Sequence, residues 1–585
     1  MVFATLSSIQ QQLTQPGAPF ELAKDAQTQL TYYKNAPQTL AQMLQAARRE
    51  DDDIFLVYGD DRWSFARFYD AVDRVASYLQ AQHVTPGQRV AIAMRNRPEW
   101  AVFFVASVYI GAIPAPLNSF GLGDELSAAI NDINADVLVC DDARLKRLQN
   151  TEQCLPSQVI CLYGDMAGDI SPEISRQLSR SNHANSDPDT TSVIVDANEV
   201  LHYADTTWQA PDIDTNSPAL ILFTSGATSR AKAVESSNKA VCQALYNINY
   251  ITAISAMSSP DIVQSIQAKG LPPVALTAVP LFHVSGLHAQ LLNGLLSSRR
   301  LVFLHKWDTD SAIDVIEQEQ VTVFNGAPAM IMQMMRNKRF VEGKAHQQLV
   351  GLGFGGAGIP KKLINNVLER MSDKMVGIGY GMTETNGAGA AGSGAIFNSN
   401  PSASGIISPI MQVRIKRDDG SVAVTGERGE IQLKGVTLMN GYLDAEHGLT
   451  KAVDNDGWLS TGDIGYIDEN DYIYVVDRIK DVINRAGENV SAAEVECCLL
   501  HHEDVIEVGV TGIPDDNLGE AVVAVVNYRQ GSKLDEDSLK AFCAEHLAAF
   551  KVPCKVVFTD QKLPRNPAGK LLKSELKQHF VSTLA

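Results

Sequence analysis

Phe223–Val234 reads FTSGATSRAKAV and follows an apolar run. The hydroxyls of Thr224, Ser225 and Thr228 and the backbone N–H groups around Gly226 and Ala227 suit a phosphate chain, with Arg230 and Lys232 adding positive charge. The spacing GxxxxGK[ST] is absent, so this is no Walker loop, and a polar strand–helix turn would have the same composition. Gly379–Thr385 reads GYGMTET. Between Gly379 and Gly381, Tyr380 offers an aromatic face with little steric cover for a base. Met382 then leads to Thr383 and Glu384, a hydroxyl for phosphate and a hard oxygen ligand for Mg2+. A strand end capped by Thr and Glu is the bland reading.

Asp463 lies in a Thr-Gly-Asp sequence that reads as a tight turn, and its carboxylate can accept from two vicinal ribose hydroxyls. Charge-assisted hydrogen bonds of that kind contribute roughly 1.5–3 kcal/mol each. Arg478 offers a second ribose contact or a surface cation. Pro564–Leu576 (PRNPAGKLLKSEL) presents Lys570 after Ala568-Gly569, where it could neutralise charge on a phosphoryl transition state or simply be solvated. Gly351–Gly356 (GLGFGG) satisfies GxGxxG, including Gly353 and Gly355. A lone GxGxxG is weak evidence, and Pro360 falls where a pyrophosphate-binding helix should begin, so a tight backbone approach to a flat ligand is preferred to NAD binding.

These residues need elements to hold them. Residues up to about Asp60 read as helical and polar. Apolar runs at Arg89–Met94, Asp136–Cys140 and Val159–Leu162 alternate with helix-length segments Ser64–Gln82 and Glu125–Asn134, the pattern of βαβ units and parallel sheets. A second alternating series takes in Ala219–Phe223, Val274–Val279, Leu301–Leu304 and Val321–Phe324. Ser179–Asn198 reads as a surface loop, and Pro401–Leu438 as β-structure with turns at Asp419-Gly420 and Gly426. Strand-like runs follow at Ile464–Asp468 and Tyr472–Asp477. Beyond Lys480 come helix Ala492–Leu500, strands Val505–Thr511 and Glu520–Tyr528, helix Glu536–Leu547 and strand Lys555–Phe558. The expected fold is α/β: a large, multi-part N-terminal domain, 1–477, with parallel-type sheets and a β-rich part, then a small mobile α+β lid, 478–585.

The totals agree. The chain has 585 residues, 45% of them hydrophobic and 20% charged, which is soluble composition and too long for one core. A net charge of -19 argues against nucleic acid, though not against a local phosphate site. Eight cysteines without CxxC spacing suggest reduced thiols and a cytoplasmic setting, and the start MVFATLSSIQQQ has no signal-peptide character. Trp100–Leu117 is apolar over about the 18 residues of a membrane span, but Gly111, Pro114 and Pro116 make it a buried helix running into a buried strand.

Taken in order, these motifs resemble the adenylate-forming superfamily of acyl-CoA synthetases, luciferases and peptide-synthetase adenylation domains, over nearly the whole chain from Thr39 to Leu576. Thr224–Ala233 is similar to the family's phosphate loop TSGTTGxPKG, GYGMTET to its base and Mg2+ motif, and Ser460–Asp463 to its ribose motif. Asp477–Asp481 and Gly487–Asn489 match the hinge region, Ala568–Lys570 the C-terminal lysine motif, and Pro280–Gly286 (PLFHVSG) the acyl-pocket helix start. The resemblance implies ATP, Mg2+ and coenzyme A chemistry on a small carboxylic acid. Thr224, Ser225, Gly226, Thr228 and Lys232 would line the β,γ-phosphates, Gly356, Ala357 and Tyr380 the adenine. Thr383 would contact the α-phosphate, Glu384 hold Mg2+, Asp463 and Arg478 hold the ribose, and Lys570 serve adenylation. Lys480 takes the hinge position, and Gly487, Glu488 and Asn489 would face the CoA tunnel. The phosphate loop departs from the family at Ala227, Ser229, Ala231 and Ala233.

For the acyl group, His283 stands at the pocket entrance, gating it or packing in the core, with Gly353 and Gly355 nearby. No carboxylate sits there to hold an amino group, and the small residues of Gly387–Ala395 leave room for a long or bulky chain. A fatty acid is favoured, with an aryl acid, a carrier-protein acceptor and a non-catalytic acyl-adenylate binder as the alternatives. A homodimer stays open.

Overall fold

Short β-branched runs between amphipathic helices cannot bury both faces alone, and here they assemble into one parallel sheet and one mixed, mainly parallel sheet. The computed structural model describes residues 2–151, 155–164, 192–224, 231–355, 361–486, 488–515, 518–566 and 569–581. A five-stranded parallel sheet has the order Ile113–Pro116, Arg89–Ala93, Val137–Asp141, Gln158–Leu162, Val193–Asp196. Its last strand takes up the end of the stretch expected to be a surface loop. Val-Ile-Val-Asp has the β-branched character that a sheet edge accepts, and most of that stretch lies outside the described residues.

The central sheet has nine strands. Six run parallel: Ile54–Tyr58, Arg300–Phe303, Val274–Thr277, Val323–Gly326, Gly351–Gly355 and Met375–Tyr380. Antiparallel strands Asp61–Ser64, Ala390–Ser393 and Ile406–Ile407 complete its two edges. Side chains alternate between its faces. Leu276, Phe324, Leu352 and Val376 point into one core with helices Thr309–Gln318, Pro328–Arg336 and Lys361–Met371. Ala275 and Leu301 point into the other, with helices Phe65–Ala81 and Pro98–Tyr109. The apolar run from Trp100 is a buried helix that turns at Gly111 into strand Ile113–Pro116, as expected. No helix among the described residues is long and apolar enough to cross a membrane.

Two expectations need correction. The first sixty residues are not simply helical. After helix Val2–Thr14, strands Leu22–Lys24 and Thr31–Tyr33 pair across a turn in which Asp25 accepts from the Gln27 and Thr28 N–H groups, and Ile54–Tyr58 joins the central sheet. Local side-chain capping by Asp25 and the β-favouring Thr-Tyr-Tyr outweigh helix propensity there. Nor does Pro218–Phe223 belong to the parallel series. It pairs antiparallel with Ala233–Ser237, which pairs with Gly441–Asp444. The connection between the first two is too short for a crossover helix, so the chain must return antiparallel.

Downstream, strands Met411–Lys416, Gly429–Gly435, Leu459–Ile467 and Ile473–Arg478 form the antiparallel β-rich part. The small α+β unit that follows packs helices Ala492–Leu500 and Glu536–His546 against a five-stranded sheet. Its elements lie where the sequence puts them, except for hairpin Val482–Arg485/Glu488–Ser491, which the pattern missed. Cys140, Cys161, Cys242, Cys497, Cys498, Cys543 and Cys554 are free thiols.

Candidate active site

Thr461-Gly462-Asp463 is not a tight turn but lies inside strand Leu459–Ile467. Gly462 adopts φ +69° and the register slips beside Gly465, a local distortion that re-aims the side chain. The Thr461 hydroxyl donates to the Ile431 carbonyl at 2.7 Å and accepts the Asp463 N–H at 3.0 Å. So fixed, the Asp463 side chain is 6% exposed. One of its oxygens lies 3.0 Å from Arg478 Nε, on the residue opposite in the next strand, and the other accepts the Tyr380 hydroxyl at 3.0 Å. Burial, and then the Asp463 carboxylate, hold the Tyr380 phenol well above its ordinary pKa, so it stays a donor.

Strand Met375–Tyr380 runs into the 3-10 turn Thr383–Thr385, which Asn386 ends in the left-handed region. The Thr385 hydroxyl accepts the Met382 N–H at 3.1 Å. Glu384 is buried, and its carboxylate accepts the Tyr442 hydroxyl at 2.8 Å. Lys232 Nζ stands 4.7 Å from the centre of the Tyr442 ring, a cation–π contact. The base of the Thr224–Lys232 loop is closed by Thr224 N–H to the Lys232 carbonyl at 2.9 Å and Lys232 N–H to the Thr224 hydroxyl at 3.2 Å. Ser225, Gly226, Ala227 and Thr228 within that loop lie outside the described residues, as do Gly356, Ala357 and Gly487. Tyr442 is the residue that sequence reasoning missed. It reaches Glu384 and Lys232 only because Val234 and Tyr442 pair across strands 208 residues apart in sequence (442 minus 234).

The glycine-rich stretch is strand, not a dinucleotide turn. Gly351–Gly355 is a parallel strand, and a Cβ on Gly355 would lie 2.8 Å from the Gly379 carbonyl, so neighbouring backbone accounts for the glycine. Gly381 likewise leaves no room for a side chain against the backbone of Gly387. His283 stands at the start of helix Val284–Gly286 without a side-chain capping bond, and the helix continues into π-helical Leu287–Leu292. Burial holds the His283 imidazole down to about 4, so it is neutral near pH 7, and its ring lies 4.4 Å from that of Phe282.

Lys570 approaches the Asp463 cluster from the far end of the chain. Its N–H donates to the Asn566 side chain at 2.8 Å, and Asn566 N–H returns a bond to the Lys570 carbonyl at 2.8 Å. Gly569 before it takes φ +80°. Burial, then the nearby Arg478 and Lys480 cations, push the ammonium pKa down to about 8, against the pull of Asp463 and Asp481. Lys480 lies in the exposed 3-10 turn Ile479–Asp481 directly after strand Ile473–Arg478. Asp477 ties that strand end to the small unit, accepting the Ser491 hydroxyl at 2.5 Å. Glu488 and Asn489 are exposed on the following hairpin, and among the described residues no hydrogen bond or ion pair joins them to Asp463.

Two linked groups result: Lys232, Tyr442 and Glu384 at one end of Met375–Thr385, and the buried Asp463–Arg478–Tyr380 set with the partly desolvated Lys570 at the other. A family model described as AMP-binding enzyme matches residues 43–443, and one described as AMP-binding enzyme C-terminal domain matches residues 494–570. The chain belongs to the AMP-binding enzyme family, within the adenylate-forming superfamily, among the AMP-forming acid–thiol ligases. It is 30% identical over 550 residues to 3-[(3aS,4S,7aS)-7a-methyl-1,5-dioxo-octahydro-1H-inden-4-yl]propanoyl:CoA ligase of Rhodococcus jostii (strain RHA1), covering 93% of this chain and 99% of that one. It is 30% identical over 538 residues to 2-succinylbenzoate–CoA ligase of Geobacillus sp. (strain WCH70), covering 92% and 96%. Among solved structures, o-succinylbenzoate CoA synthetase from Bacillus subtilis, in complex with its acyl-adenylate intermediate, aligns with a TM-score of 0.67 at 26% identity, over 92% of this chain and 97% of that one.

Proposed function

We propose that this protein activates a carboxylic acid as its acyl-adenylate and passes the acyl group to the thiol of coenzyme A. The observation that carries this reading is the convergence of Lys570 on Asp463, Arg478 and Tyr380, residues from three separate parts of the chain. Asp463 and Arg478 hold the ribose, Tyr380 borders the adenine with Gly356 and Ala357, and Thr224–Lys232 receives the β,γ-phosphates. Thr383 contacts the α-phosphate. An acid carboxylate oxygen attacks that phosphorus, the bond to the β-phosphate oxygen breaks, and pyrophosphate leaves. Lys570 bridges the carboxylate and α-phosphate and offsets the charge that develops between them. The coenzyme A sulfur then attacks the acyl carbon and AMP leaves. Residues 478–585 turn about Lys480 between the steps, withdrawing Lys570 and bringing Gly487, Glu488 and Asn489 to the cleft.

Among the described residues no group of three His, Cys, Asp or Glu could cage a metal alone. That fits Mg2+, which keeps waters and phosphate oxygens and takes one or two carboxylates. Glu384, oriented by Tyr442, is the residue that would hold it. Bound there, Mg2+ would neutralise phosphate charge. A cytoplasmic setting is supported by the free thiols.

For the acyl group, one observation favours a ring acid with oxygen substituents over a plain fatty chain. The Gln290 side-chain carbonyl oxygen is buried and unpartnered, and His288 beside it in the same helix is 1% exposed with the Asn386 side chain as its hydrogen-bonding neighbour. The Gln290 amide donates at 3.4 Å to the carbonyl of Asn325, which shares a sheet row with Gly353 and Gly377. Buried polar atoms of this kind need partners, which an alkyl chain cannot supply. ATP–pyrophosphate exchange across fatty acids of graded length and keto- or hydroxy-substituted ring acids, with product analysis in coenzyme A, tests both levels. The expected result is fastest exchange with a substituted ring acid and an acyl-CoA product. Preference for an unsubstituted chain would overturn the substrate reading, and exchange with no acid, or only with amino acids, the reaction.

A further inference from the structure

Helix Pro328–Arg336 touches the small unit at both ends. At its N-terminal end, Ala327 packs on the Lys570 loop, where a Cβ added to Gly569 would lie 2.9 Å from Ala327 Cβ. At its C-terminal end, Arg336 Nη1 donates to the Ile506 carbonyl at 2.8 Å, and Nη2 lies 3.5 Å from the Val505 carbonyl. Nine residues of helix span about 13 Å, so the two contacts are well separated and together resist rotation as well as separation.

The Ile506 carbonyl is available for a reason. Strand Val505–Asp515 pairs with Gly519–Tyr528 except at Ile506, where the register slips between Val505 and Glu507. A bulge of this kind takes one residue out of the ladder and turns its carbonyl outward. The next residue carries the contact on towards the lysine. The Glu507 carboxylate accepts the Leu563 N–H at 3.2 Å and pairs with Arg565 at 3.3 Å. Arg565 donates to the Gly569 carbonyl at 3.0 Å, directly before Lys570. Arg336 thus holds the backbone at Ile506, and from the adjoining Glu507 polar contacts run through Arg565 to the lysine loop. Arg336 contributes to no core: much of its side chain is exposed, while burial of the guanidinium at the seam lowers its pKa.

We propose that Arg336 is a positioning residue for acyl-adenylate formation: its grip on the bulged Ile506 carbonyl holds Lys570 over the cleft, and the grip lets go before the acyl group moves to the thiol. The inference rests on the reading above that Lys570 serves the first half-reaction. The test separates the half-reactions in Arg336→Ala and Arg336→Lys, measuring ATP–pyrophosphate exchange and, independently, thioester formation from supplied acyl-adenylate. Losing a charged hydrogen bond of this class should slow exchange in Arg336→Ala about tenfold or more, through kcat rather than the KM for ATP. Thioester formation should be unchanged or faster, and Arg336→Lys should fall between. Equal loss in both half-reactions, or undiminished exchange in Arg336→Ala, would overturn the proposal. Lys570→Ala in the same assay distinguishes the levels. If that variant keeps full exchange, the role of Lys570 is wrong; if it loses exchange while Arg336→Ala does not, only the role of Arg336 is.

Discussion

Asp463 and Lys570 meet at one cleft, but opposite electrostatics surround them. Asp463 lies in a strand, and its carboxylate is paired with Arg478 and Tyr380 before any ligand arrives. Lys570 lies on a loop, where burial and then the Arg478 and Lys480 cations outweigh the pull of Asp463 and Asp481 and lower its pKa to about 8. The first arrangement is satisfied within the protein, which suits the proposed role of fixing where a sugar sits. The second is unsatisfied and gains most when an anion enters. A site that must hold one ligand through two reactions needs both. The holder is rigid because its attractions are internal, and the reacting group can leave because its attraction depends on the phosphate and carboxylate it acts on.

The largest effect should come from removing the unsatisfied partner. Lys570→Ala is expected to lower ATP–pyrophosphate exchange by about 10²–10³-fold, the cost of losing one preorganised charge at a reacting oxyanion, while thioester formation from supplied acyl-adenylate persists. The same lysine sets a pH limit. It is protonated below its pKa of about 8, so kcat/KM for ATP in the exchange reaction, which reports the free enzyme, should fall as pH rises through about 8. Lys570→Arg, charged throughout, should lose that limb. A flat profile in the unaltered enzyme would mean that Lys570 is not crowded by cations as described.

The next effect tests the satisfied side. Asp463→Asn keeps a shape that can still meet Arg478 and Tyr380 but removes the charge from the ribose contacts. The KM for ATP should rise about 10–100-fold, from hydrogen bonds to a charged group worth about 1.5–3 kcal/mol. The two regions are also coupled, because Asp463 supports the Lys570 ammonium. The alkaline limb of Asp463→Asn should therefore move to lower pH. An unmoved limb with raised KM would show that the two groups act independently.

This contrast also marks where the sequence was readable. Asp463, Glu384 and Lys570 stand in short contiguous patterns, and helix Ala492–Leu500 begins at a serine whose hydroxyl caps it at 3.1 Å, so local chemistry announces them. Thr-Gly-Asp is turn chemistry, so the distortion at Gly462 reads locally as a turn. Only pairing with Gly429–Gly435 on one side and Ile473–Arg478 on the other makes it strand. Tyr442 and Arg336 left no local signal at all. Each gains its partners from segments more than fifty residues away, through strand order or inter-unit packing, which periodicity does not encode. The antiparallel return of Pro218–Phe223 was hidden likewise, since a buried strand reads the same in either direction.

Tyr442 offers the smallest and most discriminating effect. Its hydroxyl donates to the Glu384 carboxylate at 2.8 Å, and its ring face meets Lys232. It is therefore an internal attraction of the same kind as the Tyr380–Asp463 bond, on the side proposed for the phosphates. Tyr442→Phe keeps the ring and removes one hydrogen bond to a buried charge, about 1.5 kcal/mol at the low end of its class, or roughly tenfold in the KM for Mg-ATP. Tyr442→Ala also loses the cation–π contact, for about 0.5–1 kcal/mol more, and should raise the KM a further two- to fivefold. In both variants kcat should stay within about twofold, because a group that only orients the holder acts equally on ground and transition states. A fall in kcat as deep as that of Lys570→Ala would place Tyr442 with the reacting groups, and the division of the cleft into a fixed holder and a movable reactant would then fail on its phosphate side.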